Sequence, residues 1–232
     1  MTISLSIGVI FGYHTKNSLA LLGFHTEKQI KEKLGDKKYK LFVIADPLEV
    51  DIKQFERKFR IYKNVYFTNV GFIMYSGVGK LKTAHNLTKF LSHYKDNVSA
   101  VFNLGTAGAT KNNKFSDMIE CNKFIQTDWR THRPDVQVTI KKKNVYLKQN
   151  NDYICSSQDT FVFDDKKPQK IVFEMEAYAN AEVLKEFEML DKFYAIKFVS
   201  DIVGSKDGYH WVKDAQKLNT IIVDKMKEIA IA

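Results

Sequence analysis

Residues 98–109 read VSAVFNLGTAGA, an apolar strand pattern that runs into a turn of small residues. Val98 to Leu104 has the nearly continuous apolar character of a strand that is buried on both faces. Gly105 and Gly108 in the turn carry no side chain, so the backbone there can approach a ligand closely. The stretch therefore predicts a buried strand that ends at a binding edge.

Strands and helices alternate on both sides of this stretch. Upstream, the patterns predict a buried strand at 41–45, a helix from about Leu48, a hairpin between Arg60 and Tyr75 that flanks Asn69, and an amphipathic helix from Lys80. The apolar stripe of that last helix consists of Leu81, Ala84, Leu87, Phe90, Leu91 and Tyr94. Downstream, strands are predicted at 171–173 and 193–199, and helices at about 175–188 and 218–229.

This alternation predicts a three-layer α/β/α sandwich with a central mixed sheet, in which ligands bind at the carboxyl ends of the strands. Residues 117–162 give only irregular β-like segments. With 232 residues, 44% of them hydrophobic, the chain is long enough to bury one sizeable core. One domain is the expectation.

The charge and the cysteines limit the class of protein. The net charge is +9, but lysine and arginine are scattered along the chain, which favours a solvated basic surface over a nucleic-acid partner. Cys121 and Cys155 lack metal-ligand or CxxC spacing, as expected in a reducing cytoplasm. The apolar run Ile3 to Tyr13 is far shorter than the roughly 20 residues of a membrane-spanning helix, so no membrane partner is expected.

Two glycine patterns fail as nucleotide-binding loops. In SGVGKLKT, residues 76–83, Met74 stands where a Walker loop needs its first glycine, and Leu81 stands where it needs a hydroxyl for magnesium. NLGTAGA, residues 103–109, lacks the GxGxxG spacing of a dinucleotide fingerprint. No cofactor is expected, and the six histidines form no metal-binding pattern.

Six short motifs in order resemble the nucleoside phosphorylase and nucleosidase superfamily, and within it the 5′-methylthioadenosine/S-adenosylhomocysteine nucleosidases. SGVGK (76–80) is similar to the family's SGIGK, NLGTAGA (103–109) to NTGSAGG, FSD (115–117) to VGD, QDTFV (158–162) to GDAFI, EMEA (174–177) to EMEA or DMEG, and SD (200–201) to an SD dyad after a strand. The resemblance covers residues 41–232. It divides the chain into an N-terminal extension of unknown role, 1–38, and a catalytic domain, 39–232.

A seventh stretch, IADPLEV (44–50), is similar to the family's GAMEEEV. It aligns Glu49 with the carboxylate that activates water. Asp46, Pro47 and Leu48 depart from the family pattern, and the segment from Glu49 to Ser76 is shorter than usual. Asp51 or Glu56 is therefore an alternative for the same role.

The chemistry of such an enzyme can be stated from first principles. Cleavage of a purine–ribose bond leaves positive charge on the sugar and negative charge on the base. It needs a proton donor at the purine, a carboxylate near the ribose and an oriented water. Three acidic residues at strand ends would supply all three.

The resemblance assigns these tasks to particular residues. It implies that Asp201 donates a proton to adenine N7, with Ser200 fixing its orientation and with a pKa raised by burial. It implies that Glu176 binds the ribose hydroxyls while Met175 packs on the sugar. The remaining substrate-binding residues it implies are Phe161 and Val162 at the purine, Thr106 and Gly108 at the ribose and base, Val78 and Trp211 or Tyr209 at the 5′ substituent, and Lys197 in place of the family's arginine before the SD dyad.

Water is the expected nucleophile. Related phosphorylases carry an arginine just before the glycine turn, because a guanidinium binds phosphate in a bidentate manner. That position is Asn103 or Leu104 here, although Lys80, Arg130 or Arg133 could supply a cation from another loop.

The resemblance also implies a homodimer, in which residues within about 128–138 of one subunit complete the 5′ pocket of the other. Two rival functions stay open, a phosphate-dependent phosphorylase and a purine nucleoside-binding protein without catalysis.

Overall fold

The computed structural model describes residues 26–110, 112–128, 137–140, 146–147, 153–162, 170–204 and 211–232. Its helices are α1 (Glu27–Leu34), α2 (Lys80–Tyr94), α3 (Ala177–Glu186) and α4 (Trp211–Ile231). Its strands are β1 (Tyr39–Ile44), β2 (Arg57–Tyr62), β3 (Val65–Thr68), β4 (Gly71–Tyr75), β5 (Val98–Ala109), β6 (Met118–Gln126), β7 (Gln137–Thr139), β8 (Tyr153–Ser157), β9 (Ile171–Glu174) and β10 (Phe193–Ile202). No helix in this part of the chain is both long enough and apolar enough to cross a bilayer.

The strands form one mixed sheet in the order β10-β6-β8-β9-β5-β1-β4-β3-β2, with β7 paired to β6. Strand β5 also pairs in parallel with β10, so β5, β10, β6, β8 and β9 close into a ring. The hairpin predicted around Asn69 is confirmed as the antiparallel pair β3–β4.

Side chains of the central strands alternate between two apolar cores, as the pleat of a strand requires. In β1, Leu41 and Val43 face a core that includes residues of α1, α2 and α3, whereas Phe42 and Ile44 face a core that includes residues of α4. Helices thus cover both faces of a mixed sheet. The predicted three-layer α/β/α sandwich is confirmed.

The helix predicted from about Leu48 is wrong. Only a short 3-10 turn, Ile52–Gln54, follows β1 before β2 begins. Several backbone groups of residues 48–52 are bound by side chains: the Asp46 carboxylate accepts from Leu48 N, and the Tyr75 hydroxyl donates to Val50 O and accepts from Ile52 N. Such local side-chain bonds compete with helix formation.

The amphipathic helix from Lys80 forms as α2, with Leu87, Phe90, Leu91 and Tyr94 buried. Leu81, assigned to the same stripe, is 83% exposed, and Thr83 is buried in its place at the start of the helix. Helix α1 lies inside the predicted N-terminal extension, yet its Ile30 and Leu34 are buried in the core that α2 and α3 share.

Candidate active site

A cavity of about 260 Å³ opens at the carboxyl ends of β1, β5 and β10. Parallel neighbours in a sheet end at the same edge, which brings segments far apart in sequence to one place. Every predicted site residue except Lys197 lines this cavity: Glu49, Val78, Thr106, Gly108, Phe161, Val162, Met175, Glu176, Ser200, Asp201 and Trp211.

Asp201 lies near the end of β10, where the Ser200 hydroxyl donates a hydrogen bond of 2.7 Å to its Oδ1. Burial raises the pKa of the Asp201 carboxyl, although the Ser200 bond acts in the opposite direction. The other carboxylate oxygen, Oδ2, lies against Gly108, where an added Cβ would come within 2.9 Å of it. The aspartate therefore holds its proton more strongly than an exposed aspartate does.

Glu49 enters the cavity from the turn after β1, where its backbone N donates to Asp46 O at 3.0 Å. Its Oε1 accepts from the backbone N of Thr106 at 2.7 Å and from the Thr106 hydroxyl at 2.8 Å. Its Oε2 is buried and has no hydrogen-bond partner among the described residues. Burial raises the pKa of Glu49, although the bonds from Thr106 lower it.

The structure places Glu49 in the cavity and the two alternative acids outside it. Asp51 accepts from Lys53 N at 2.9 Å and caps the 3-10 turn, and Glu56 is exposed. The side-chain bonds described above form a tight turn instead of a helix after β1. That turn carries Glu49 back over the sheet edge.

Glu176 immediately precedes α3, and its Oε1 accepts from the backbone N of Gly79 at 2.8 Å. It is 5% exposed. Burial and the nearby charge of Glu174 raise the pKa of Glu176 to about 8. This carboxylate is thus fixed at the N-terminal end of α2, where Gly79 has a φ of 94° that a glycine adopts readily.

Lys197 is separated from the cavity, although the sequence predicts it among the substrate-binding residues. Its Nζ donates to Glu174 Oε2 at 2.9 Å and to Asn103 Oδ1 at 2.7 Å, and the residue is 1% exposed. Burial opposes the charged form of both partners. Their mutual attraction outweighs it, so the pKa of Glu174 is lowered and the pKa of Lys197 is raised.

Glu174 is a site residue that sequence reasoning missed. Its Oε2 also accepts from the backbone N of Glu176 and Ala177, at 2.9 and 2.8 Å, and its Oε1 accepts from the Ser157 hydroxyl. The available signal was the first glutamate of EMEA, which is as acidic as the second. The carboxylate binds the first turn of α3 and so fixes the backbone of Glu176.

An apolar wall faces the acids. Val78, Phe161, Val162, Phe173, Met175, Ile202 and Val203 line it. Phe161 lines the cavity and is 48% exposed. An aromatic ring at this position is suited to stacking on a planar ligand. Trp211 begins α4, and Tyr209, the alternative to it, lies outside the described residues.

The described part of the lining contains no lysine or arginine. Asn103, at the position of the phosphorylase arginine, is 1% exposed and bound to Val43 O and to Lys197. Lys80 pairs with Asp128 and, at 3.1 Å, with Asp159. Arg130 and Arg133 lie outside the described residues, as does most of 128–138.

Within the described ranges, no group of three or more His, Cys, Asp or Glu side chains could hold a metal ion.

Comparisons with known proteins agree with this architecture. No protein-family model matches the sequence. A 5′-methylthioadenosine/S-adenosylhomocysteine nucleosidase of Thermotoga maritima is 25% identical over 67% of this chain and 79% of its own.

Solved structures match over more of the chain. The fold is similar to that of a Colwellia psychrerythraea nucleosidase of the same name, solved with adenine, with a TM-score of 0.65 and 20% identity over 84% of this chain and 95% of that one. It is also similar to the Campylobacter jejuni nucleosidase, with a TM-score of 0.67 and 17% identity over 84% of this chain and 100% of that one. The fold is that of these solved nucleosidases. In sequence, too, the chain resembles a 5′-methylthioadenosine/S-adenosylhomocysteine nucleosidase, as the motifs indicated.

Proposed function

We propose that this protein hydrolyses the N-glycosidic bond of 5′-methylthioadenosine, S-adenosylhomocysteine or both, releasing adenine and a thioribose. The observation that carries the proposal is the convergence of three carboxylates, Glu49, Glu176 and Asp201, on one largely apolar cavity. The similarity to nucleosidases of that name supports the choice of substrate.

Asp201 acts on the leaving group. A departing purine gains negative charge, and a proton delivered to N7 neutralises it. An ordinary aspartate is ionised at neutral pH, but burial raises the pKa of this one, and Ser200 holds Oδ1 so that Oδ2 faces the base. Phe161 stacks on the purine, and the Val162 backbone reads its edge.

Glu176 and Glu49 act on the sugar. Glu176 binds the ribose hydroxyls and stabilises the cationic character that develops as the bond breaks, with Met175 packed against the ring. Glu49 takes a proton from the attacking water at its buried free oxygen, Oε2. Val78 and Trp211 receive the 5′ alkylthio group, whose apolar character matches theirs.

Water is favoured over phosphate as the nucleophile. A phosphate dianion needs fixed cations, and the cavity described here is lined by four acids, Glu49, Glu174, Glu176 and Asp201. Lys80 is held between two aspartates, and Asn103 is closed off by Lys197.

Three further assignments belong to the proposal. We infer a homodimer, because residues within about 128–138 are those that the resemblance uses to complete a neighbour's 5′ pocket. We infer a cytoplasmic location, which suits two free cysteines. Adenine and a thioribose as products would feed methionine salvage.

Incubation with methylthioadenosine, S-adenosylhomocysteine, adenosine and inosine, each with and without phosphate, tests the proposal. We expect adenine release from methylthioadenosine and S-adenosylhomocysteine at equal rates with and without phosphate. The absorbance change on base release measures these rates. Base release that requires phosphate and yields ribose 1-phosphate would identify a phosphorylase. Binding of the nucleosides without any release would identify a non-catalytic purine-binding protein.

A further inference from the structure

A hydrogen-bonded chain links the wall of the cavity to its most buried acid. The indole Nε1 of Trp211 donates to the Thr106 hydroxyl at 2.9 Å. The same hydroxyl donates to Glu49 Oε1 at 2.8 Å. Trp211 thus touches the cavity with its ring and Glu49 through one intervening oxygen.

The direction of each bond in this chain is fixed by chemistry. An indole N–H can only donate, so the Thr106 oxygen must accept from it. The single hydroxyl proton of Thr106 is then free to point to Glu49. Because the backbone N of Thr106 also donates to Oε1, that oxygen faces two donors and has no room for a proton of its own.

A protonated Oε1 would oppose this arrangement. It would have to donate to the Thr106 hydroxyl, whose own proton would lose its acceptor, and the backbone N–H of Thr106 would then face a protonated oxygen, which is a weaker acceptor. The arrangement therefore leaves Oε2, which is buried and has no partner among the described residues, as the oxygen that receives a proton.

We propose that Trp211 is a positioning residue for Glu49: its N–H orients the Thr106 hydroxyl toward Oε1, which stabilises the carboxylate form of Glu49 and directs proton uptake to Oε2. This inference rests on the proposed function, in which Glu49 activates water. It gives Trp211 a task besides its contact with the 5′ substituent.

Other charges also act on Glu49, and they are unchanged by a substitution at Trp211. Burial raises the pKa of Glu49, the Thr106 bonds and the charge of Lys197 lower it, and Asp46 raises it. Glu176 lies close enough for the two carboxylates to repel each other. A change in the pKa of Glu49 in Trp211→Phe therefore reports the lost hydrogen bond from the indole N–H to the Thr106 hydroxyl.

The test is a double-mutant cycle with Trp211→Phe, which keeps a ring but removes the donor, and Thr106→Val, which removes the hydroxyl but keeps the shape. We expect Trp211→Phe to lower kcat by about three- to tenfold, with a smaller change in KM, and to move the acid limb of the kcat profile up by about half to one pH unit. On the Thr106→Val background the same substitution should have no further effect on either quantity. Val212→Ala, which alters an exposed side chain next to Trp211 on α4 and outside the cavity lining, serves as the control and should stay near wild type.

An equal loss of kcat from Trp211→Phe in wild type and in Thr106→Val would mean that the ring acts by packing alone, and would overturn the inference. A second readout does not depend on turnover. The carboxyl resonance of Glu49, identified by its absence in Glu49→Gln, is titrated by carbon-13 NMR in wild type and in Trp211→Phe. A higher pKa in the variant supports the inference even if wild type releases no base, which would refute only the proposed function; an unchanged pKa overturns it.

Discussion

Two residues without side chains make room for two of the acids. A Cβ on Gly105 would lie 3.0 Å from Glu49 Oε1, and a Cβ on Gly108 would lie 2.9 Å from Asp201 Oδ2. Both distances are below ordinary contact, so a larger residue at either position would displace the acid. Because the two glycines of the turn GTAG have no Cβ, they leave space for the carboxylates of Glu49 and Asp201.

Asp201 is the residue on which the proposed chemistry depends most directly. In Asp201→Asn the side chain keeps its size and can still form a hydrogen bond, but it cannot transfer a proton. We expect adenine release to fall by about 10²- to 10⁴-fold, the range of general acid catalysis. The measurement is single-turnover adenine release at pH 7.

The matched control is Asp96→Asn, an exposed aspartate just before β5, at the opposite end of the sheet from the cavity. It should retain wild-type turnover within about twofold, because surface substitutions are mostly neutral. Thermal unfolding of both variants near the wild-type temperature shows that the fold is intact. Wild-type turnover in Asp201→Asn would remove this residue from the mechanism.

At the scale of the elements, the buried ion pair of Glu174 and Lys197 stabilises the start of helix α3. Glu174 accepts from the first backbone N–H groups of the helix, which carry no intrahelical partner and hold partial positive charge. Lys197, on β10, balances the remaining charge. The pair therefore fixes the start of α3 and, with it, Glu176.

Lys197→Met leaves Glu174 buried without its cation. We expect a loss of about 3 to 5 kcal/mol in the free energy of unfolding, measured in urea at pH 7. The double variant Glu174→Gln/Lys197→Met, which removes both charges, should recover at least half of that loss. Lys217→Met breaks an exposed pair with Asp214 and should cost less than about 1 kcal/mol.

The contribution of Glu174 to the free energy of unfolding decreases at low pH. The charge of Lys197 lowers the pKa of Glu174 in the folded protein against the opposing effect of burial, from an ordinary value of 4.5. The contribution of Glu174 to stability is therefore complete above about pH 4.5 and declines as the pH falls through the lower folded value. An equal cost of Lys197→Met and Lys217→Met at pH 7 would contradict this account of the pair.

The sequence predicted these elements with unequal success, for physical reasons. Strong periodicity located β5, α2 and α4, because apolar spacing directly reflects burial. The helix after Leu48 was wrong because its backbone bonds go to Asp46 and Tyr75, and the second of these lies in another strand. Strands β6 and β8 were only irregular in the sequence, since their burial depends on closing the ring with β9 and β10.

The candidate site shows the same difference between local patterns and long-range contacts. The ordered motifs located its acids, because residues at the ends of strands can be recognised from the local sequence. The ion pair of Lys197 with Glu174 joins two distant strands, and no local spacing reveals such a contact.

On the scale of the whole domain, the two larger apolar cores of the described residues lie on opposite faces of one sheet. The core on the side of α2 and α3 also contains Ile30 and Leu34 of α1, which are 2% and 1% exposed. Helix α1 has only 8 residues, too few to be stable in water alone. Its burial in the shared core ties it to the domain, although the family resemblance begins only at residue 41.

A boundary at residue 38 and this packing predict different outcomes for Ile30→Ala/Leu34→Ala. If α1 is part of the core, each substitution removes buried methyl groups and leaves a cavity, at a cost of about 2 to 5 kcal/mol in the free energy of unfolding. The control, Lys28→Ala, changes a side chain that is 87% exposed on the same helix and should cost no more than about 0.5 kcal/mol. Urea unfolding followed by far-UV circular dichroism measures both. Coincident midpoints for the two variants would mean that α1 adds nothing to the core and that the domain begins after residue 38. A clearly lower midpoint for the double variant assigns α1 to the domain that carries the candidate active site.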